Sequence, residues 1–151
     1  MTAQQHYLPE GLAIPVPEPD GLSRPYWEGL RANRLLVQRC QGCKTWQWGP
    51  EWICHSCHSF DMGWVDIEAA GTIHAWTRAW HPSHAVLKDH TPYILVIVTL
   101  PRAGNIRMVG NLLGDPRQDV KLDAAVEGVF EHHATARPAY SLLQWKCRAD
   151  R

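Results

Sequence analysis

After position 34 the apolar residues come in short bursts that either alternate with polar ones or run unbroken, the patterns of half-buried and fully buried strands. LLVQRC (residues 35–40) predicts a first strand. GWVDIEAAG and GTIHAWTRAWH follow with period two: Ile73, Ala75, Thr77 and Ala79 fall on one face, His74, Trp76, Arg78 and Trp80 on the other. YILVIVTL (residues 93–100) is β-branched and nearly all apolar, which predicts a buried strand. IRMVGNLLG, AAVEGVFEHH and AYSLLQWK predict three more, with Gly128 marking a bend or bulge in the second. PRAGN and DPRQD read as turns, and residues 115–119 are a turn rather than a carboxylate pair. HPSHAVLKDHTP, residues 81–92, is a long polar loop.

Before position 35 the pattern is different. Residues 1–22 carry Pro9, Pro15, Pro17 and Pro19 with little periodicity, an extended and irregular arm. RPYWEGLRANR then predicts a short helix capped by Ser23, with Pro25 in its first turn. Tyr26, Trp27 and Leu30 share one side, Glu28 and Arg31 are spaced to pair, and Gly29 limits the length to two or three turns.

Between the helix and the long strands lies RCQGCKTWQWGPEWICHSCHS, residues 39–59, with four of the five cysteines. Cys40, Cys43, Cys54 and Cys57 follow C-x2-C-x10-C-x2-C. Two such knuckles aim four thiolates at one point and leave a tetrahedral ion no open position, so the reading is a structural zinc ribbon. Iron is accepted by the same ligands in rubredoxin-like sites, and redox dithiols are the remaining alternative. His55 and His58 fall outside a ligand shell that four sulfurs complete. Cys147 has no CxxC partner and reads as a small, partly buried thiol.

With the ribbon placed, the remaining strands are too short and too often interrupted by glycine for anything but a small sandwich or barrel. The expected fold is mainly β: an N-terminal arm and short helix (1–34), a four-cysteine zinc ribbon (35–67) and a five-stranded OB-type barrel (68–151).

Composition narrows the function. No apolar run approaches the roughly 20 residues of a membrane helix, and the N-terminus lacks the layout of a signal peptide. The expected setting is cytoplasmic, where paired cysteines bind metal rather than each other. Lysine plus arginine equals aspartate plus glutamate, 15 each. Residues 1–70 carry five basic against eight acidic side chains, and residues 71–151 ten against seven. Neither half makes the basic field of a nucleic-acid binder, and a tetrathiolate zinc adds about −2 to the ribbon. A single-strand nucleic-acid-binding module therefore stands as the alternative function.

Residues for independent catalysis are also missing. His81, His84 and His90 cluster in one loop and His132 and His133 in another, with no carboxylate pair, nucleophile elbow or phosphate loop beside them. No catalytic residue is expected. Eight tryptophans in 151 residues need a core or an interface. Trp27, Trp46, Trp48 and Trp52 are the interface candidates, with packing of ribbon onto barrel as the competing use.

The order of these features resembles the domain-of-unknown-function-35 family, acyl-CoA-associated proteins with a rubredoxin-like zinc ribbon and an OB-fold. RPYWEGLRANRLLVQRCQGCKTW, GPEWICHSCHS, AAGTIHAWTRAWHP, TPYILVIVTLPRAGNIRMVGNLLG and DVKLDAAVEGVFE carry the resemblance over residues 22–145. Lys44 stands where the family has glycine after the second cysteine, His55 where proline often follows the third, and Tyr26 where phenylalanine is common. The resemblance implies a non-catalytic accessory subunit of a thiolase-type complex, with a synthase or hydratase as other partners. The shared ligand would be a coenzyme A thioester and the reaction thiolysis, acyl transfer or retro-aldol cleavage on the larger subunit. For CoA or substrate the candidates are Arg78, Trp80, His81, Lys88, Arg102 and Arg107, with residues 80–92 as a loop that orders around the thioester or the partner.

Overall fold

The computed structural model describes residues 13, 16–18 and 20–148. The expected arm lies largely outside them, Pro9, Pro15 and Pro19 included. Helix α1 (Arg24–Arg31) has two turns, as its glycine predicts. Ser23 holds the N-cap position, but its hydroxyl caps nothing; its carbonyl accepts the Trp27 N–H at 3.3 Å. Glu28 and Arg31 form no ion pair among the described residues.

Eight strands follow in two antiparallel sheets. β1 (Leu35–Cys40), β2 (Trp46–Gln47) and β3 (Met62–Ile67) form a three-stranded sheet in the order β2-β1-β3. β4 (Ala70–Ala79), β5 (Tyr93–Leu100), β6 (Ile106–Asn111), β7 (Ala125–His133) and β8 (Tyr140–Cys147) form the second, ordered β6-β5-β4-β7-β8. Its ends meet where the Leu113 N–H donates to the Trp145 carbonyl at 2.7 Å, beside a parallel bridge from Leu112 to Trp145. The result is a nearly closed five-stranded barrel.

Strand β5 is apolar but for Thr99 and the Tyr93 hydroxyl, yet only alternate residues are fully buried. Ile94, Val96, Val98 and Leu100 point inward, with Ile73, Met108, Leu112, Val126 and Trp145 around them. Tyr93, Leu95 and Ile97 lie on the outer face, half-exposed. Leu30, Leu35 and Val37 join the same core, so α1 and the base of the ribbon sheet close one end of the barrel.

Two expectations about the barrel strands need correction. The register of β4 against β5 shifts between Ile73 and Ala75, a bulge that places His74 outside the regular pairing. Trp76 consequently faces Val96 and Arg78 faces Ile94, on the same side as Ile73, and Ala75 pairs with the outward Ile97. The faces read from strict alternation hold only up to the bulge. Gly128, expected at a bend or bulge, sits in unbroken β7–β8 register, which rules out the bulge between those strands. It is glycine because a Cβ there would lie 2.6 Å from the Ala69 Cβ, where the backbones also bond.

The 81–92 segment holds a 3-10 turn over Ala85–His90, capped where the His84 ring accepts the Val86 N–H at 3.2 Å. His132 and His133 are not in a loop. They end β7, where His133 pairs with buried Glu131 at 2.6 Å and stacks on Tyr140. His132 bridges Ser141 and Asn33, each at 2.8 Å, and so ties the turn after α1 to the barrel. Burial, and then the Glu131 charge, push the Tyr140 hydroxyl above its usual range.

Candidate functional site

The two cysteine knuckles repeat one backbone design. In the first, the Lys44 N–H donates to the Cys40 carbonyl and the Cys40 N–H to the Thr45 carbonyl. In the second, His58 donates to Cys54 and Cys54 to Ser59. Each turn needs a left-handed residue after its second cysteine, supplied by Lys44 at φ 64° and His58 at φ 58°. The position where the family carries glycine thus keeps its backbone shape with lysine, at some strain.

Together the knuckles bring all four sulfurs within 4.8 Å of one another. Cys40 and Cys57 are 3.6 Å apart, as are Cys43 and Cys54. Those distances are too long for disulfides and fit a tetrahedral ion, which at ordinary zinc–sulfur bond lengths sets its sulfurs about 3.8 Å apart. The Ser56 N–H approaches the Cys54 sulfur at 3.4 Å. Hydrogen bonding with the Thr45 hydroxyl, and then with its backbone, holds the Cys43 thiol down at about 6. At Cys57 a backbone bond from Ser59 acts in the same direction, but the crowding sulfurs of Cys43 and Cys40 outweigh it and push the thiol up to about 11. Thiols this close resist collecting charge together, and a dication removes that conflict. The donor set fits structural zinc, with no position left for substrate.

Around the metal centre the ribbon has no apolar core of its own. Two buried glutamines, opposite each other on β1 and β2, do that work. Gln38 donates to the Glu51 carbonyl at 2.8 Å and accepts the Glu51 N–H at 3.0 Å. Gln47 donates to the Ile53 carbonyl at 3.1 Å and accepts from the His55 backbone at 3.0 Å, with the His55 ring 2.8 Å away. His55 thus braces the knuckle from outside the sulfur shell.

The tryptophans divide. Trp27, Trp46 and Trp48 pack against the common core, Trp48 on Tyr26 with ring centroids 4.8 Å apart. Trp46 lies under the Arg39 guanidinium and against Gly104, whose φ of 62° and missing Cβ make the seat. Only Trp52 of the four interface candidates is well exposed, at 56%.

The CoA candidates also divide. Trp80, His81, Lys88 and Arg107 are exposed, on three different segments. Arg102 is paired with Glu68 at 3.3 Å. Arg78 donates to the carbonyls of Pro116 and Gln118 at 2.9 and 2.6 Å and holds that loop in place. The loop in turn sets Arg117 over Trp80, while Arg78 lies over Trp76, two separate pairs of ring and guanidinium group. Sequence reading missed Arg117, whose place depends on Arg78 from 39 residues away.

Comparison with known proteins agrees with this architecture. The family model "ChsH2, rubredoxin-like zinc ribbon domain" matches residues 27–63, and "ChsH2, C-terminal OB-fold domain" matches residues 64–131. A Thermomonospora curvata protein named "Probable enoyl-CoA hydratase alpha subunit" is 37% identical over 91 residues. That match takes in 59% of this chain but 27% of the other, so the chain spans about a quarter of that relative's length. Among solved structures, a chain of an "Ltp2-ChsH2(DUF35) aldolase" superposes with a TM-score of 0.74 at 26% identity, covering 89% of this chain and 98% of that one. A DUF35-family protein from Sulfolobus solfataricus shares the fold at a TM-score of 0.54 and 17% identity, over 84% of this chain and 85% of its own.

Proposed function

The chain belongs to the DUF35 family of ChsH2 type, a zinc ribbon followed by an OB-fold, and on that premise we propose that it is the non-catalytic accessory subunit of an enzyme complex acting on a CoA thioester. One observation carries the reading: a nearly full-length structural match, at 26% identity, is a chain of an aldolase assembly. A protein of this build contributes surface rather than chemistry. The partner is a thiolase-type enzyme, and the bond made or broken is a carbon–carbon bond beside the thioester, by thiolysis, acyl transfer or retro-aldol cleavage.

CoA contact falls to the exposed Trp80, His81, Lys88 and Arg107, with Arg78 positioning the loop beside them and Arg102 at the rim. Interface contact falls first to Trp52. The four reduced thiolates suit the cytoplasm. Among the described residues no helix is long and apolar enough to cross a membrane.

A second reading is a partnership with an enoyl-CoA hydratase, favoured by the name of the Thermomonospora curvata relative. The two are separated by co-expressing the chain with the thiolase-like enzyme and, separately, with the hydratase of its own genome, followed by size-exclusion chromatography. Co-elution with the first and not the second is expected. Elution alone in both cases, with salt-sensitive binding to single-stranded oligonucleotides, would move the protein to the nucleic-acid-binding class.

A further inference from the structure

Parity along β1 and β3 decides which ribbon residues face away from the barrel. Leu35, Val37 and Arg39 turn towards the core with Ile67, Val65 and Trp46; Gln38 turns outward, opposite Trp64. Gln38, Met62 and Trp64 form the floor of a cleft of about 220 Å³. Leu22 and Pro25 wall it on the helix side, and Trp52 and Phe60 on the other. Phe60 is 76% exposed, an unusual position for a phenylalanine in a chain with only two.

The cleft's chemistry narrows what enters it. Gln38, a polar group in its floor, is tied to the Glu51 backbone through both its amide nitrogen and its oxygen. The volume is below the roughly 300–1,000 Å³ of small-molecule pockets and suits one large side chain. Glu51 lines the cleft, and the exposed Asp20 and Asp61 adjoin its lining residues Gly21, Phe60 and Met62 along the chain, against Arg24 beside Pro25. Neither Glu51 nor Asp61 has an ion-pair partner among the described residues. Four thiolates around a zinc ion deepen the negative field by about two charges. An apolar seat inside an unanswered acidic rim fits an apolar side chain flanked by lysine or arginine.

We propose that this cleft is where the chain grips its enzyme partner, by taking up one large apolar side chain with a basic neighbour. The proposal rests on the accessory-subunit reading and commits the grip to the outer face of the ribbon, away from the barrel.

The test uses the full chain with its metal and the enzyme subunit that co-elutes with it, by isothermal titration calorimetry. Phe60→Glu is expected to weaken binding about thirtyfold or more, and Trp52→Ala about tenfold, with one metal per chain retained in both. Glu51→Lys with Asp61→Lys should slow association and reduce its salt dependence. Val109→Glu, on the exposed outer face of the barrel, should change affinity by less than about twofold. Normal binding by metal-loaded Phe60→Glu overturns the cleft while leaving the accessory reading intact. Loss of binding in Val109→Glu alone also overturns it, in favour of the barrel face. If the wild-type chain binds no enzyme, both fall. If Phe60→Glu instead converts a dimer of this chain to a monomer without touching enzyme binding, the cleft holds a second copy and the proposal fails.

Discussion

The ribbon and the barrel solve the same problem, ordering a short β-structure, by opposite means. The barrel buries Ile73, Ile94, Val96, Val98, Leu100, Val126 and Trp145 completely or nearly so. The distal ribbon, residues 40–61, buries Cys40, Cys54 and Gln47 and leans Trp46 and Trp48 on the barrel's core, while Trp52, Ile53 and Phe60 stay at the surface. A ribbon that does not need its apolar side chains for a core is free to display them. That difference gives the metal the ordering role a core plays elsewhere, and it leaves Trp52 and Phe60 exposed, on the surface proposed above for the partner.

The strongest way to break the comparison is to remove the metal. Structural zinc is worth on the order of 10 kcal/mol to a small ribbon. Chelation or Cys54→Ser should therefore release amide protection across residues 40–61 while residues 93–100 stay protected, read by hydrogen exchange. Every ligand binds as thiolate, so affinity for zinc should fall as pH is lowered. A core cut should do the converse: Ile94→Ala should cost about 2–5 kcal/mol of global stability in denaturant titration and leave metal content unchanged.

Smaller effects sharpen the contrast within the ribbon. Gln47→Ala leaves the Ile53 carbonyl and the His55 N–H without their partner and should cost about 2 kcal/mol, seen as faster metal loss to a chelator. Lys44→Gly relieves a left-handed residue and should gain about 1 kcal/mol, net of the extra freedom of glycine in the unfolded chain, measured by zinc competition.

The smallest effect near neutral pH lies at the joint between the two regions. Burial pushes the Tyr26 hydroxyl from 10.0 up to about 12. The unfolded chain then loses this proton first, so the contribution is complete below pH 10 and is lost as pH rises towards 12. Tyr26→Phe should remove that part of the alkaline loss of stability and change little at pH 7.

How far the sequence could be read follows from where each feature is encoded. Strands Leu35–Cys40 and Tyr93–Leu100 end where their own residue patterns end. The cysteine quartet was legible because metal ligation requires a local spacing that few other uses share. The bulge at His74 was not, because it arises from how β4 meets β5 and leaves no mark in β4 alone. The tryptophans looked alike in sequence; Trp46 packs half-buried against Gly104 and the core while Trp52 stays exposed, a distinction made only by tertiary packing. Glu131 and His133 read as ordinary polar residues until folding buried them together.

The chain is proposed to lend a surface to another enzyme's chemistry. The most direct test is the rate at which the thiolase-like partner turns over a CoA thioester as the purified, metal-loaded chain is titrated in. The chain alone should give no turnover, and the partner's rate should rise saturably to a plateau at a fixed stoichiometry. A partner equally active with and without the chain, or turnover by the chain on its own, would contradict the proposal.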